Sequence, residues 1–207
     1  MKVLIGVAFV LLVFGTATTA TAALIQNGSF ESPVVSTSTL VREAPDSWSV
    51  GSPVGLVVNG AAFNPYPAGA EDGKQFYDLG NQTGMVLSQT ITVATGGQYQ
   101  LQWFASSTAY TGDLITPYSV SFNGTSPTFN PGSDGTWKIN DLSFNLTPGS
   151  YTLTFTSGPV IYGYDTLLDN VTLTSTAPPP VPTPVPATMQ LLGSGLVGLA
   201  AVRRFKR

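Results

Sequence analysis

An antiparallel β-sandwich is the fold the sequence predicts, and three observations predict it. The middle of the chain alternates apolar and polar residues with a period of two. Glycine, proline, asparagine and aspartate cluster at short intervals between the alternating runs. No stretch of that middle part repeats its apolar residues at helical spacing. Many short strands with such turns, in a domain of ordinary size, imply a sandwich or jelly roll.

In chain order, the first element is not part of that domain. Met1 to Ala23 carries one early charge, Lys2, an apolar run from Val3 to Phe14, and the small residues "TATTATAA". That is the layout of a secretory signal peptide, with Ala20-Thr21-Ala22 as the small-x-small cleavage site. The apolar run is short for a membrane span. Residues 24–176 then form one domain, long enough to bury a core without staples. The absence of cysteine excludes a small disulfide-held fold and does not argue against export.

Within the domain, "YQLQWFA" puts Tyr99, Leu101 and Trp103 on one face and Gln98, Gln100 and Gln102 on the other. "YSVSFNG" does the same with Val120 and Phe122, "SYTLTFTS" with Tyr151, Leu153 and Phe155, and "DNVTLTST" with Val171 and Leu173. These are half-buried antiparallel strands. Their turns are signalled by Thr95-Gly96-Gly97, Asn123-Gly124, Pro131-Gly132, Asp134-Gly135 and Pro148-Gly149. Trp48 and Trp103 are expected in the core.

Charge narrows the function classes. Only Arg42, Lys74 and Lys138 stand in the domain against all eleven acids, a net charge of −8. That balance excludes a nucleic-acid footprint and suits neutral partners or cations. Charged residues are 9% of the chain, against ~25% in typical domains. Solubility therefore rests on Ser, Thr, Asn and Gln. No histidine or cysteine is present, which excludes Ser-His-Asp, Cys-His and His-ligated zinc chemistry. Glycoside hydrolysis by paired carboxylates drawn from Glu71, Asp72, Asp78 and Asp165 stays open, but no spacing singles out a pair. The domain is expected not to be an enzyme.

The chain closes with a proline-rich linker, 177–186, then an uncharged stretch from Ala187 to Val202, then Arg203, Arg204, Lys206 and Arg207. The linker predicts an extended spacer. At ~1.5 Å per residue, a helix over 187–202 reaches the short end of what spans a bilayer core of about 30 Å. The basic end is expected to stay cytoplasmic while the signal peptide sends the domain outward.

The last residues, 184–207, carry Pro184-Val185-Pro186-Ala187, the apolar "LLGSGLVGLA" and the terminal basic cluster in that order. They resemble the PEP-CTERM sorting tail of exported proteins in exopolysaccharide-producing Gram-negative bacteria. The family has Glu between the two prolines where this chain has Val185. The resemblance implies an exosortase-type sorting enzyme as partner, a transient stay in the inner membrane, and delivery to the cell surface or extracellular space.

A second resemblance covers 24–176. "LIQNGSFESP", Trp48, "DGKQFYDLGN", "VLSQTITVATGGQYQLQWFAS" and "LLDNVTLT" occur in the order found in galactose-binding-like jelly rolls, a group that includes carbohydrate-binding modules. It implies a structural Ca²⁺ where the two ends of the domain meet, held by Glu31 and Asp169 with Ser29 as a further oxygen. Hard oxygen donors in an acidic domain suit that ion.

For carbohydrate, aromatic faces and amides are the groups to seek. Two sets qualify: Gln100, Gln102 and Phe104 on the outward face of one strand, and Tyr162, Tyr164 and Asp165 in the loop "IYGYDT". The expected function is association with exopolysaccharide without catalysis. A structural matrix protein with no sugar ligand is the alternative. The tail carries its own prediction: the exported protein ends before Ala187 by intact mass, and a released protein that retains Arg207 overturns the sorting reading.

Overall fold

The computed structural model describes residues 23–52, 55–59, 69–80, 82–108, 115–133, 135–159 and 164–176. The body of the signal peptide, the linker, the sorting motif, the apolar tail, its basic end and Tyr162 lie outside the described residues. Among the described residues no helix is long and apolar enough to cross a membrane.

Eleven strands are described: β1 (Leu40–Val41), β2 (Ser49–Val50), β3 (Leu56–Asn59), β4 (Gln75–Asp78), β5 (Val86–Val93), β6 (Gly97–Ser107), β7 (Tyr118–Ser121), β8 (Thr128–Phe129), β9 (Lys138–Leu146), β10 (Gly149–Ser157) and β11 (Thr166–Ser175). They form a six-stranded sheet in the order β1-β3-β4-β11-β6-β9 and a five-stranded sheet in the order β2-β5-β10-β7-β8. All strand pairs are antiparallel. The protein is thus an all-β antiparallel sandwich, as the alternation predicts.

Consecutive long strands go to opposite sheets. β5 hands over to β6 through Ala94-Thr95-Gly96, and β9 to β10 through Thr147-Pro148. Such corners leave backbone groups without ladder partners, and buried ones must be satisfied elsewhere. A tyrosine four residues on ties each corner. Tyr99 donates its hydroxyl to the Thr95 carbonyl (2.6 Å). Tyr151 donates to the Thr147 carbonyl (2.8 Å) and accepts from the Thr147 N–H (3.1 Å). By contrast, Asn123-Gly124 makes a two-residue hairpin turn with both residues at positive φ, closed by the Phe122–Thr125 bridge.

The core lies between the sheets. Leu101, Trp103 and Ala105 of β6 meet Val120 of β7 and Leu153 and Phe155 of β10, all fully buried. Trp103 packs edge-on to Phe129 (4.9 Å) and Phe155 (5.9 Å). Its indole N–H donates to the Tyr118 hydroxyl (2.8 Å), so neither buried polar group is left unpaired. Trp48 is buried as expected, against Phe30 and Phe155.

The opening segment forms no strand among its described residues, yet it seals one end of the core. Phe30 is fully buried, and Trp48 donates its indole N–H to the Asn27 carbonyl (3.0 Å). Gly28 accepts from the Val171 N–H of β11 (2.9 Å). A Cβ on Gly28 would sit 2.0 Å from the Val171 carbonyl oxygen, so only glycine allows this contact. The two ends of the domain therefore meet.

Candidate functional site

β6 is flanked by β11 and β9, and its outward residues define an open face of the six-stranded sheet. Gln100, Gln102 and Phe104 are half-buried there, and Gln98 beyond them is exposed. The register sets their neighbours, because directly opposed residues share a face. Gln100 lies between Ser143 and Thr174, Gln102 between Asp141 and Thr172, and Phe104 between Ile139 and Asp169. Gln100 Nε2 stands 3.4 Å from Asp141 Oδ2. Ile139 is 52% exposed, an apolar step beside Phe104. From Gln98 to Phe104 the row runs about 20 Å at ~3.4 Å per residue.

One end of this face is covered. Val58, Phe76 and Leu167 form a second, smaller apolar cluster with Leu56, Ala70 and Trp137 packed on it. Trp137 meets Phe76 edge-on (5.6 Å) and donates its indole N–H to the Gly69 carbonyl (3.0 Å). Sequence reading passed over Trp137, since a single tryptophan before a strand has no periodic partner. Asp141 was missed as well, because only the β6–β9 register brings it beside Gln102.

The two carboxylates expected at the junction do converge on one segment. Glu31 Oε1 accepts from the backbone N–H groups of Lys74 and Gln75 (both 2.6 Å). Asp169 Oδ2 accepts from those of Glu71 (2.7 Å) and Asp72 (3.0 Å), and its Oδ1 from Asn170 (2.7 Å). Asn170 Nδ2 in turn donates to Glu71 Oε2 (2.8 Å). Gly73, at φ 72°, turns the chain between the two clamps. Asp169 is fully buried. Burial pushes its carboxyl up to about 8, against the pull of the Asp72, Asn170 and Glu71 N–H groups, and the nearby Glu71 charge adds to the rise.

Among the described residues no group of three acids, histidines or cysteines is arranged to hold a metal ion. Glu31 and Asp169 are two carboxyl groups, whereas a calcium ion takes six to eight oxygens.

The loop set lies beyond the end of β6. Tyr164 is half-buried, and its carbonyl accepts from the Thr116 hydroxyl. Asp165 and Thr108 pair through their backbones and the Thr108 hydroxyl. Asp165 Oδ1 is buried with no hydrogen-bond partner. The next residue, Thr166, pairs with Ser107, three positions from Phe104 and seven from Gln100, about 10 and 24 Å at ~3.4 Å per residue. The loop set therefore lies toward the Phe104 end of the β6 row and away from Gln100.

No protein-family model and no curated protein matches the chain. Solved structures do. TmCBM61, solved in complex with β-1,4-galactotriose, is 15% identical over 75% of this chain and 99% of its own, with a TM-score of 0.52. A family 16 carbohydrate-binding module is 13% identical over 73% of this chain and 99% of its own, with a TM-score of 0.49. A family 35 module from Clostridium thermocellum is 16% identical over 67% and 99%, with a TM-score of 0.44. At these identities the likeness to TmCBM61 shows the fold.

Asp165 generates a pH prediction. Desolvation raises its carboxyl from the ordinary 3.8 to about 6. The folded chain therefore binds the proton more tightly than the unfolded one, and its contribution to stability is full below 3.8 and lost as pH rises through about 6. Thermal melts of Asp165→Asn and the parent protein should diverge between pH 4 and 6, with the parent losing more. Parallel curves would remove the effect.

Proposed function

We propose that this chain is an exported, non-catalytic protein that associates with exopolysaccharide. The domain over 24–176 holds a glycan along the outer face of β6, with Gln100 and Gln102 meeting hydroxyls and Phe104 offering an apolar face to the sugar ring. The row of amides ending in an aromatic step, on a sandwich that TmCBM61 shares, is the observation that carries this reading. Tyr164 and Asp165 form a separate candidate contact at the end of the sandwich. The tail from Pro184 directs the domain through the inner membrane to the cell surface, with an exosortase-type enzyme as the processing partner.

Structural calcium at Glu31, Asp169 and Ser29 is a further part of the proposal. Its support is the buried Asp169 carboxyl, whose ionised form a bound cation would favour. When bound, the ion would hold the 71–75 segment and keep Asp169 ionised. Full-length protein should then melt several degrees lower with chelator than with calcium, and identical melting temperatures end the calcium reading.

A glycan array with full-length protein tests the main claim. Phe104→Ala, at a half-buried outward position, should weaken the best glycan at least tenfold with little change in melting temperature. Silence across the array would favour a structural matrix protein. Release of reducing ends from polysaccharide would overturn the non-catalytic reading.

A further inference from the structure

The charge around β6 bears on which glycans this face accepts, an inference that rests on the outer face being the sugar surface. Asp141 is exposed on β9, opposite Gln102 and 3.4 Å from the Gln100 amide. On the other side of β6 stands Asp169, opposite Phe104, with Glu71 attached to its neighbour Asn170. Gln100 and Gln102 thus lie beside the exposed Asp141 carboxyl, whereas the Asp169 carboxyl beside Phe104 is fully buried and its oxygens accept from backbone N–H groups.

Positive charge is sparse by comparison. Lys138 pairs with the core residue Ala105, so it leaves the opposite side of the sheet, and its ammonium donates to the Asn130 carbonyl (3.4 Å). Arg42 follows β1, at the far edge of the sheet and four strands from β6. Lys74 lies before β4, two strands from β6, and its backbone N–H donates to Glu31. A carbohydrate chain lying on β6 therefore meets hydrogen-bonding amides and the exposed Asp141, and among the described residues no lysine or arginine stands at an outward position of β6, β9 or β11.

We propose that this face selects uncharged glycan chains, and that Asp141 is the residue that turns away chains bearing uronate or phosphate. A carboxylate on a bound sugar would lie beside the Asp141 carboxylate in partly solvated surroundings, where like charges repel but do not forbid contact. Neutral hydroxyls carry no charge for Asp141 to repel, and they find donors and acceptors in the two glutamines. The repulsion is exposed to solvent, so salt weakens it: the screening length is about 10 Å at 0.1 M and about 3 Å at 1 M.

The test compares polymers that share a backbone and differ only in charge. The probes are β-1,4-galactan and β-1,4-glucan, each native and after oxidation of its C6 hydroxyls to carboxylates, with full-length protein. Parent protein should bind at least one native polymer about three- to tenfold more tightly than its oxidised form at low salt. High salt should narrow that ratio, and Asp141→Asn should narrow it at low salt without loss of the native polymer. Glu43→Gln, beyond β1, should leave the ratio unchanged. Equal binding of native and oxidised polymer, or an unchanged ratio in Asp141→Asn, overturns the selectivity. If neither native polymer binds, the sugar-surface reading fails and this inference fails with it.

Discussion

A buried carboxyl organises one end of this domain. Asp169 has no access to solvent, and each of its oxygens receives backbone N–H groups from the chain around it. Removing a carboxylate from water is costly unless hydrogen bonds replace the lost hydration. Here the replacement comes from the segment before β4, so that segment is fixed in place by the demand of β11. Glu31 holds the other end of the segment, which links the opening residues, the β4 approach and the last strand. The same aspartate stands opposite Phe104, and the fixed segment supplies the Gly69 carbonyl that orients Trp137. Placement of the candidate surface follows from how one acidic group is satisfied.

The bulge in β11 makes this possible. Pairing with β6 shifts between Asp169 and Thr172, and Asn170 takes a positive φ of 48°. An extra residue in one strand re-aims the backbone and frees its groups from the ladder. The Val171 N–H is thereby turned to Gly28 instead of to β6. One irregularity thus docks the opening segment while Leu168, Val171 and Leu173 remain in the core.

The two outer faces of the sandwich differ in character. On the five-stranded sheet, the outward positions of β5 and β10 are mostly Ser and Thr, with no charged residue in either strand. On the six-stranded sheet, amides, acids and apolar side chains are mixed, and a second apolar cluster is partly covered by Trp137. Burial of apolar area stabilises that cluster, and it walls one end of the polar row. The surface with varied chemistry is the one on which recognition is proposed.

Local pattern made much of this legible. Alternation in "YQLQWFA", "SYTLTFTS" and "DNVTLTST" identified β6, β10 and β11 with the correct faces inward, because the side-chain period of a strand is a property of the backbone itself. The pairing of Glu31 with Asp169 at one junction came from resemblance, and both acids do clamp the same segment. The charge balance and the layout of the two termini are likewise properties of the chain alone. Tertiary structure decided what sits beside what. Whether the Gly-rich turns joined neighbours in one sheet or crossed to the other, which acid fell opposite Gln102, and whether Asp165 lay near Gln100 all depend on register between strands far apart in sequence. Register is set by the simultaneous packing of both sheets, and no single segment contains that information.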